Sequence, residues 1–364
     1  KPTAKGPAAP ALGEAEELGQ LHADAPLGEP SATLLPASLC AQVLGRVAQM
    51  EPAGAEEGAW FRAPLIADPV PLDQASLEAR LSELQGGSAA LLGVRRRRVG
   101  AAPGQDNFSV TCASDDRTVY AVCDGHGPLG HLASFRVAQS LPKFILDGLD
   151  SELQRPQEQR RLAEAVVARA FDAASADLAE FAALRGLDLF CSGASAAVAL
   201  RQGDQVHVAW LGDARVLVAT VAGADSRVDL MSAPHVPEDE AEHERLVRAG
   251  ASLREDASLR GASGAAPLRV YEHPDASAPG LSVSRALGDF SVSELGVSSQ
   301  PDLAKTSFAA APGLVLLGSG GAWELLGDGE AVLDGLLREG QLARAGPQVA
   351  ASRLCGEAQE LWRE

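Results

Sequence analysis

The stretch VYAVCDGHGPLGH, residues 119–131, stops an apolar run abruptly at a carboxylate that is followed by glycines and an imidazole. Its first half predicts a buried strand, which delivers Asp124, Gly125 and His126 to a loop. An aspartate offers a hard oxygen ligand for Mg²⁺ or Mn²⁺, a glycine lets its carbonyl approach the same ion, and a histidine can transfer a proton beside it. Taken alone, the pattern also fits a tight turn with a solvated histidine.

Five further segments occur in a defined order along the chain. They are QDNFSV at 105–110, SGASA at 192–196, GDAR at 212–215, LSVSRALGDF at 281–290 and LVLLGSGGAWE at 314–324. Together with residues 119–131 they resemble the metal-dependent Ser/Thr protein phosphatases of the type 2C family, from about Arg95 to the C-terminus. The DGHGPLGH block is similar to the version in plant and protozoan members. An unrelated α+β domain whose motifs match by accident is the alternative.

The fold class follows from the order of the short segments. Many short strands, with helices gathered in separate blocks, predict an α+β domain built on antiparallel sheets. The resemblance implies a more specific arrangement, an antiparallel β-sandwich flanked on both faces by antiparallel helices, in four layers. In that arrangement the metal site lies at one end of the sandwich. His207 falls within an alternating strand pattern, which favours a surface or packed histidine over a ligand.

The resemblance also implies which residues form the site and what each does. Asp124 is the expected bridging ligand of Mg²⁺ or Mn²⁺, and the carbonyl oxygen of Gly125 binds one of the ions. Asp106 stands near the metals through water, and Asp213 matches the carboxylate of an additional, weaker metal. His126 is the expected acid that protonates the leaving serine or threonine oxygen.

A phosphate-binding arginine normally lies shortly before the segment that contains Asp106 in this family. Arg97 and Arg98 are the candidates, because a guanidinium can donate paired hydrogen bonds to phosphate oxygens. The spacing to Asp106 is longer than the family pattern. A solvated basic strand end explains these arginines equally well.

Two departures from the family pattern bear on activity. Gly320 stands where the family has a metal-binding aspartate, and a glycine offers neither a side-chain oxygen nor a negative charge. Glu324 keeps a carboxylate nearby, in a neighbouring position and with a different reach. The family's late Asp-Asn motif is absent, so we expect a shortened chain or unrepresented residues, since a lost strand would leave a sheet edge unpaired.

Two functions are therefore open. The first is a protein serine/threonine phosphatase-like domain that hydrolyses phosphomonoesters with a metal, weakly because of Gly320, and whose partners are phosphoserine and phosphothreonine proteins. The second is a catalytically inactive pseudophosphatase that binds a regulatory partner. Retention of Asp124, His126, Asp213 and Asp289 favours the first function, and Gly320 favours the second.

The composition excludes several classes of partner. A formal net charge of −18 over 364 residues disfavours nucleic acid and anionic membranes, because both are negatively charged. Five cysteines without a Cys-x-x-Cys spacing disfavour a zinc site and a disulfide framework. No apolar stretch approaches the length of a membrane span. We expect an intracellular monomer, cytoplasmic or nuclear, and the first residue, which is not methionine, predicts an incomplete N-terminus.

The chain divides into three parts on composition and apolar spacing. Residues 1–34 are rich in Ala, Pro, Gly and Glu, which predicts a flexible arm. Residues 35–93 are predicted to be an N-terminal helical elaboration, with helices over 37–50 and 77–84. Residues 94–364 form the phosphatase-like domain.

Within that domain the pattern predicts three helices and a long loop, and the resemblance implies that the region around the loop is a flap. The flap covers about 235–280 and ends in a long loop over 251–280. The helices are predicted over 131–149, where Pro142 should kink or divide the helix, over 157–183, and over 241–249, with a cap before it and Gly250 after it.

Overall fold

The computed structural model describes residues 41–46, 48–49, 94–95, 105–114, 117–157, 162–256, 266–276, 280–308, 310, 312–337, 350–351, 353–354 and 357–358. The strands are β1 Ala41–Arg46, β2 Ala48–Gln49, β3 Val94–Arg95, β4 Asn107–Ser114, β5 Arg117–His126, β6 Gly193–Gln202, β7 Gln205–Leu211, β8 Arg215–Thr220, β9 Arg227–Met231, β10 Ser252–Glu255, β11 Leu268–Tyr271, β12 Leu287–Gly288, β13 Asp302–Ser307 and β14 Gly313–Gly318. The helices are α1 Gly130–Leu153, α2 Ala163–Arg185, α3 Glu240–Ala249, α4 Gly320–Leu326 and α5 Gly329–Leu337.

Two antiparallel sheets form the centre of the domain. The main sheet has the order β1-β4-β5-β6-β7-β13, with β12 paired to β6 beside this path. The second sheet has the order β14-β8-β9. Outside the sandwich, β10 and β11 form a hairpin, and β2 pairs with β3 over two residues in parallel.

Three apolar cores separate four layers. The first core lies between the main sheet and the helices α1 and α2, the second between the two sheets, and the third between the second sheet and the helices α4 and α5. Because strand β5 is covered on both faces, Val119 and Ala121 point into the first core while Tyr120 and Val122 point into the second. The predicted four-layer α+β sandwich is confirmed.

The N-terminal helix predicted over 37–50 is wrong for the residues that the structure describes. Strand β1 pairs antiparallel with β4, from Ala41 opposite Cys112 to Arg46 opposite Asn107. The edge of β4 offers a row of backbone hydrogen bonds, and this distant partner overrides a local helical spacing. Residues 1–34 and the helix predicted over 77–84 lie outside the described residues.

Helix α1 passes through Pro142 without division. It runs from Gly130 to Leu153, although the proline removes one backbone hydrogen bond. The residues that follow, Ile145 and Leu146, are fully buried in the first core. Packing against the main sheet therefore holds both halves in one helix, so the predicted division is wrong, while the alternative of a kink stays a prediction.

The flap contains more regular structure than the sequence predicts. Strands β10 and β11 pair antiparallel, with Ser252 opposite Tyr271, so the long loop predicted over 251–280 is wrong in part. Helix α3 is confirmed, because the Asp239 carboxylate accepts hydrogen bonds from the backbone of residues 241 and 242, and Gly250 closes the helix at φ 90°.

A group of paired charges, which we call the arginine hub, anchors the flap. It consists of Glu242, Arg245, Arg285 and Asp302. The Oε1 atom of Glu242 accepts a hydrogen bond from Arg285 Nη2 at 2.7 Å, and its Oε2 accepts one from Arg245 Nη2 at 2.5 Å. Arg285 Nη1 also donates to Asp302 Oδ1 at 2.8 Å. The hub thus links helix α3 of the flap to strand β13 of the main sheet.

None of the helices in the described residues combines the length and the apolar composition of a membrane-spanning helix.

Candidate metal centre

The candidate site lies at one end of the sandwich, where several loops meet. The end of β5 places Asp124 opposite Ser195 and His126 opposite Gly193 on strand β6. The backbone N–H of Gly125 donates to the carbonyl of Gln105 at 3.2 Å, which holds the start of β4 against the same loop. Antiparallel neighbours bring these strand ends to one edge, so residues far apart in sequence become adjacent.

Three carboxylates, which we call the acid cluster, come together here. They belong to Asp106, Asp124 and Asp213. Burial, the negative charges of Asp106 and Asp213, and a side-chain hydrogen bond with Asp106 raise the pKa of Asp124 well above its usual value. The Asp124 carboxyl group is therefore harder to ionise than an ordinary aspartate, because two like charges face it in a buried place.

Gly320 touches the acid cluster through its backbone. Its N–H donates to Oδ2 of Asp124 at 2.8 Å, so the first residue of α4 stabilises one negative charge of the cluster. A Cβ atom at this position would lie 2.5 Å from Oδ2 of Asp213 and 3.3 Å from Oδ2 of Asp124. Any side chain at position 320 would therefore point between these two carboxylates and would displace the first of them.

Asp213 is held in place by Ser195. The Ser195 hydroxyl donates to Asp213 Oδ1 at 2.7 Å and accepts from the Asp213 backbone N–H at 3.2 Å. The preceding Gly212 has φ 74°, and a Cβ there would lie 2.0 Å from the Ser195 hydroxyl oxygen, so only glycine fits this turn. Partial burial and the charge of Asp213 raise the pKa of Glu324, which places this carboxyl in the field of the cluster.

His126 pairs with Asp289. The ring Nε2 lies 2.6 Å from Asp289 Oδ2, and Asp289 is buried with a left-handed backbone at φ 48°. A Cβ on Gly193 would lie 2.2 Å from the same Oδ2, so β6 can approach this carboxylate only with a glycine there. Burial opposes protonation of His126, but the charge of Asp289 and the hydrogen bond to it outweigh burial and raise the pKa of His126.

Gly125 lies in a tightly packed loop. A Cβ at Gly125 would lie 2.3 Å from the carbonyl oxygen of Gly130 and 2.5 Å from that of Gln105, so no side chain fits. The Gln105 side-chain amide donates to the carbonyl of Gly127 at 2.5 Å. Gln105 therefore ties the loop of residues 125–130 to the start of β4, a structural contact that the motif alone did not predict.

The acid cluster fits one divalent cation better than two. Its carboxylate oxygens and like charges suit Mg²⁺ or Mn²⁺. Among the described residues, however, no three or more His, Cys, Asp or Glu side chains lie close enough together to hold a metal ion by themselves. Asp124, the Gly125 carbonyl and water molecules fit a single ion, with Asp106 and Asp213 nearby. Gly320 adds no oxygen donor from its side chain.

The structure brings together most of the residues predicted from sequence. Asp106 and Asp213 act electrostatically on Asp124, and His126 lies on the same strand as Asp124, because β5 extends to His126 where the sequence predicted a loop from Asp124 onward. Their roles as ligands and as acid stay predictions. Arg97 and Arg98 lie outside the described residues, so their predicted contact with phosphate also stays a prediction.

Three further contributors were not assigned from sequence. Asp289 orients His126, Ser195 holds Asp213, and the Gly320 backbone binds Asp124. The LSVSRALGDF segment contained the signal for the first, because an aspartate after a glycine ended a recognisable motif. The other two contacts depend on strand register and on the start of α4, which no local pattern encodes.

Comparisons with known proteins point to one family. The family model described as "Protein phosphatase 2C" matches residues 86–361. "Probable protein phosphatase 2C 64" of Oryza sativa subsp. japonica is 34% identical over 227 residues, which cover 60% of this chain and 49% of that protein. This chain therefore spans about half the length of that relative. "Probable protein phosphatase 2C 48" of the same plant is 29% identical over 299 residues, 76% of this chain and 80% of that protein.

Solved structures show the same fold. The crystal structure of serine-threonine phosphatase 2C from Toxoplasma gondii aligns with a TM-score of 0.59 at 18% identity, over 72% of this chain and 87% of that one. A structure described as a C. elegans sex determining protein aligns with a TM-score of 0.56 at 21% identity, over 72% of this chain and 59% of that one.

Proposed function

The chain belongs to the protein phosphatase 2C family, and we propose that its domain is a weak, metal-assisted protein serine/threonine phosphatase. One observation supports both halves of the proposal. Asp124 and the His126–Asp289 pair are assembled at one end of the sandwich, while the position between Asp124 and Asp213 is occupied by Gly320, which has no side chain. The site thus keeps oxygen ligands for one cation and a proton donor. It lacks the carboxylate that the family pattern has at position 320.

The proposed chemistry divides between the ion and the protein. A bound Mg²⁺ or Mn²⁺ ion supplies charge stabilisation for the phosphate and an activated water. Asp124 and the Gly125 carbonyl would hold this ion, and Asp106 would contact it through water. Asp213 would serve an additional ion that binds more weakly. The substrates are phosphoserine and phosphothreonine residues of other proteins.

His126 donates a proton to the leaving oxygen. The Nε2 atom faces the Asp289 carboxylate, so the Nδ1 proton is the one left for transfer. The raised pKa of His126 keeps the ring protonated to a higher pH than an ordinary histidine. Its role as general acid therefore suits neutral solution.

A pseudophosphatase is the second candidate. It is favoured by the missing carboxylate at Gly320 and by the lack, among the described residues, of three side chains that could hold a metal together. In that case the acid end of the sandwich would bind a regulatory partner without turnover.

Hydrolysis of a phosphothreonine peptide in the presence of Mn²⁺ tests the two candidates. We expect slow turnover by the native chain, loss of at least about 100-fold in Asp124→Ala, and a gain of about tenfold in Gly320→Asp, because each carboxylate stabilises the ion and the water it binds. The gain is partial because the new Cβ displaces Asp213 from Ser195.

Gly335→Asp is the matched control, since a Cβ at Gly335 on helix α5 meets nothing within 4 Å. It should leave turnover unchanged. No turnover by the native chain or by Gly320→Asp would reject the phosphatase and favour the pseudophosphatase. Turnover that survives Asp124→Ala would show that the reaction takes place elsewhere.

A further inference from the structure

An aromatic side chain projects from the segment that enters the candidate site. Residues 188–191, which we call the rim, connect helix α2 to strand β6. Leu189 is buried at 1% exposure, whereas Phe190 is 60% exposed. The Asp188 carboxylate accepts a hydrogen bond from the Phe190 backbone N–H at 3.0 Å, which fixes the turn that presents the ring to solvent.

The rim and the residue after it contact the chain on either side of the His126–Asp289 pair. The Phe190 carbonyl accepts from the backbone of Ser291 at 3.1 Å, and the carbonyl of Ser192 accepts from the backbone of Asp289 at 2.9 Å. A Cβ on Gly127, the neighbour of His126, would lie 2.1 Å from the carbonyl oxygen of Cys191. Since consecutive Cα atoms are about 3.8 Å apart, Phe190 is held within one or two residues of both catalytic loops.

The surroundings of the rim are acidic. After burial, the charges of Asp289, Asp188 and Glu272 are what raise the pKa of the Cys191 thiol. The Asp188 carboxylate is itself part of the rim and bonds to the Phe190 backbone, and Asp289 lies two residues before Ser291, which bonds to the Phe190 carbonyl. The exposed ring of Phe190 therefore lies close to two carboxylates.

We propose that Phe190 is a specificity-determining residue that contacts a large apolar side chain close to the phosphorylated residue of the substrate, and that the carboxylates around it favour arginine or lysine there. This inference rests on the proposed phosphatase function. An extended peptide advances about 3.3 Å per residue, so a contact beside the His126 loop falls within about three residues of the phosphorylated one.

Exposure alone does not distinguish Phe190, because single exposed apolar residues are common on protein surfaces. Leu162, at the opposite end of α2, is 73% exposed. A helix of 23 residues spans about 35 Å, so Leu162 lies far from the site along the helix axis. Phe190 differs in its backbone contacts to the reacting loops and in its acidic neighbours, and Leu162 therefore provides the matched control.

The test compares two phosphothreonine peptides of equal length. One has leucine and arginine at the two positions on each side of the phosphothreonine, and the other has serine and glutamate there. We expect the native chain to show a KM about tenfold lower for the first peptide, since contact with one apolar side chain and opposite charges add about that much. Phe190→Ala should reduce the preference to about threefold, because it removes the apolar contact and leaves the charge effect.

Hydrolysis of p-nitrophenyl phosphate, which has no flanking residues, should be the same in the native chain and in Leu162→Ala. Leu162→Ala should also keep the full peptide preference. A native chain without preference, or a preference that survives Phe190→Ala intact, would overturn the inference even if phosphate esters are hydrolysed.

Binding separates this inference from the proposed function. Fluorescence anisotropy with non-hydrolysable phosphonate analogues of the two peptides measures the preference without turnover. If no phosphoester is hydrolysed, the proposed function fails. A tenfold difference in Kd between the two analogues that Phe190→Ala reduces would still support recognition of the peptide by the rim. Equal Kd values for the two analogues would reject the rim as a recognition surface.

Discussion

In the arginine hub each carboxylate faces a guanidinium, whereas in the acid cluster three carboxylates act on one another. Burial opposes ionisation of Glu242, but hydrogen bonds from Arg285, Ser284 and Arg245 outweigh it and lower its pKa to about 2. In the acid cluster burial and like charges act in the same direction and raise the pKa of Asp124. Buried carboxylates thus have opposite pKa shifts at one end of the same domain.

The two groups lie close together, so their opposite pKa shifts do not come from different parts of the molecule. The backbone N–H of His235 donates to the carbonyl of Gly212 at 2.8 Å, beside Asp213, and the backbone N–H of Ser284 donates to the carbonyl of His235 at 3.0 Å. The comparison shows that the role of a buried carboxylate depends on whether a positive or a negative group faces it. Buried carboxylates that face guanidinium groups hold the flap in place, and carboxylates that face one another form the place where a cation can bind.

The largest expected effect concerns the hub. Glu242→Gln should lower the free energy of unfolding by about 3 kcal/mol, because it leaves Arg285 and Arg245 without the charge that they share. Urea denaturation of the native chain and the variant measures the difference. Glu244→Gln, on the same helix with a side chain that is 65% exposed, is the control and should change less than about 0.5 kcal/mol.

The pH dependence of this effect has a definite sign. The pKa of Glu242 is lower in the folded chain, so its stabilisation is complete above its unfolded pKa near 4.5 and is lost as the pH falls through about 2. The difference between native chain and Glu242→Gln should therefore shrink on acidification. A difference that is the same at pH 3 and pH 7 would mean that Glu242 acts by packing and not by charge.

A smaller effect is expected when a fourth carboxylate joins the acid cluster. In a chelating buffer Gly320→Asp should lower the free energy of unfolding by about 2 kcal/mol, because the new group adds like charge and displaces Asp213. Saturating Mn²⁺ should restore the free energy of unfolding, since an ion that binds only the folded state stabilises that state. Thermal unfolding with and without Mn²⁺ measures both quantities. Equal stabilities of Gly320→Asp and Gly335→Asp in chelator would contradict the electrostatic contrast.

The smallest effect has the opposite sign. In chelator Asp124→Asn should raise the free energy of unfolding by about 1 kcal/mol at neutral pH, because it removes a carboxylate whose ionised form the cluster disfavours. The folded-state pKa of Asp124 is raised, so the native chain loses stability as the pH rises above about 4 and the gain should vanish below that. A destabilised Asp124→Asn at pH 7 would show that the hydrogen bond from Gly320 outweighs the repulsion.

The contrast between cluster and hub was only half visible in the sequence. The GDAR and DGHGPLGH segments predicted that Asp124 and Asp213 would lie at strand ends, because apolar runs stop at each of them. The hub was not predicted, since Glu242, Arg285 and Asp302 come from three segments that meet only in the folded chain. Charges far apart in sequence carry no local period that reveals their pairing.

The same reason explains the errors in the fold. Local spacing does not reveal the partner on which each element depends. Strand β1 pairs with the edge of β4, and in the flap hairpin β10 pairs with β11. The buried strand β5 was predicted correctly because its apolar run is continuous and stops at a carboxylate followed by glycines. A contact between single residues, such as Gly320 with Asp124, can be predicted only when the register of the strands is known.

Calorimetric titration of the native chain with Mn²⁺ tests the central claim, that the acid cluster without a side chain at Gly320 holds at most one ion. We expect one site per chain, with an affinity below that of an intact set of carboxylates and with binding lost in Asp124→Ala. Two tight sites per chain, or a site that survives Asp124→Ala, would contradict the account, because other oxygens such as those of Glu324 would then have replaced the missing ligand.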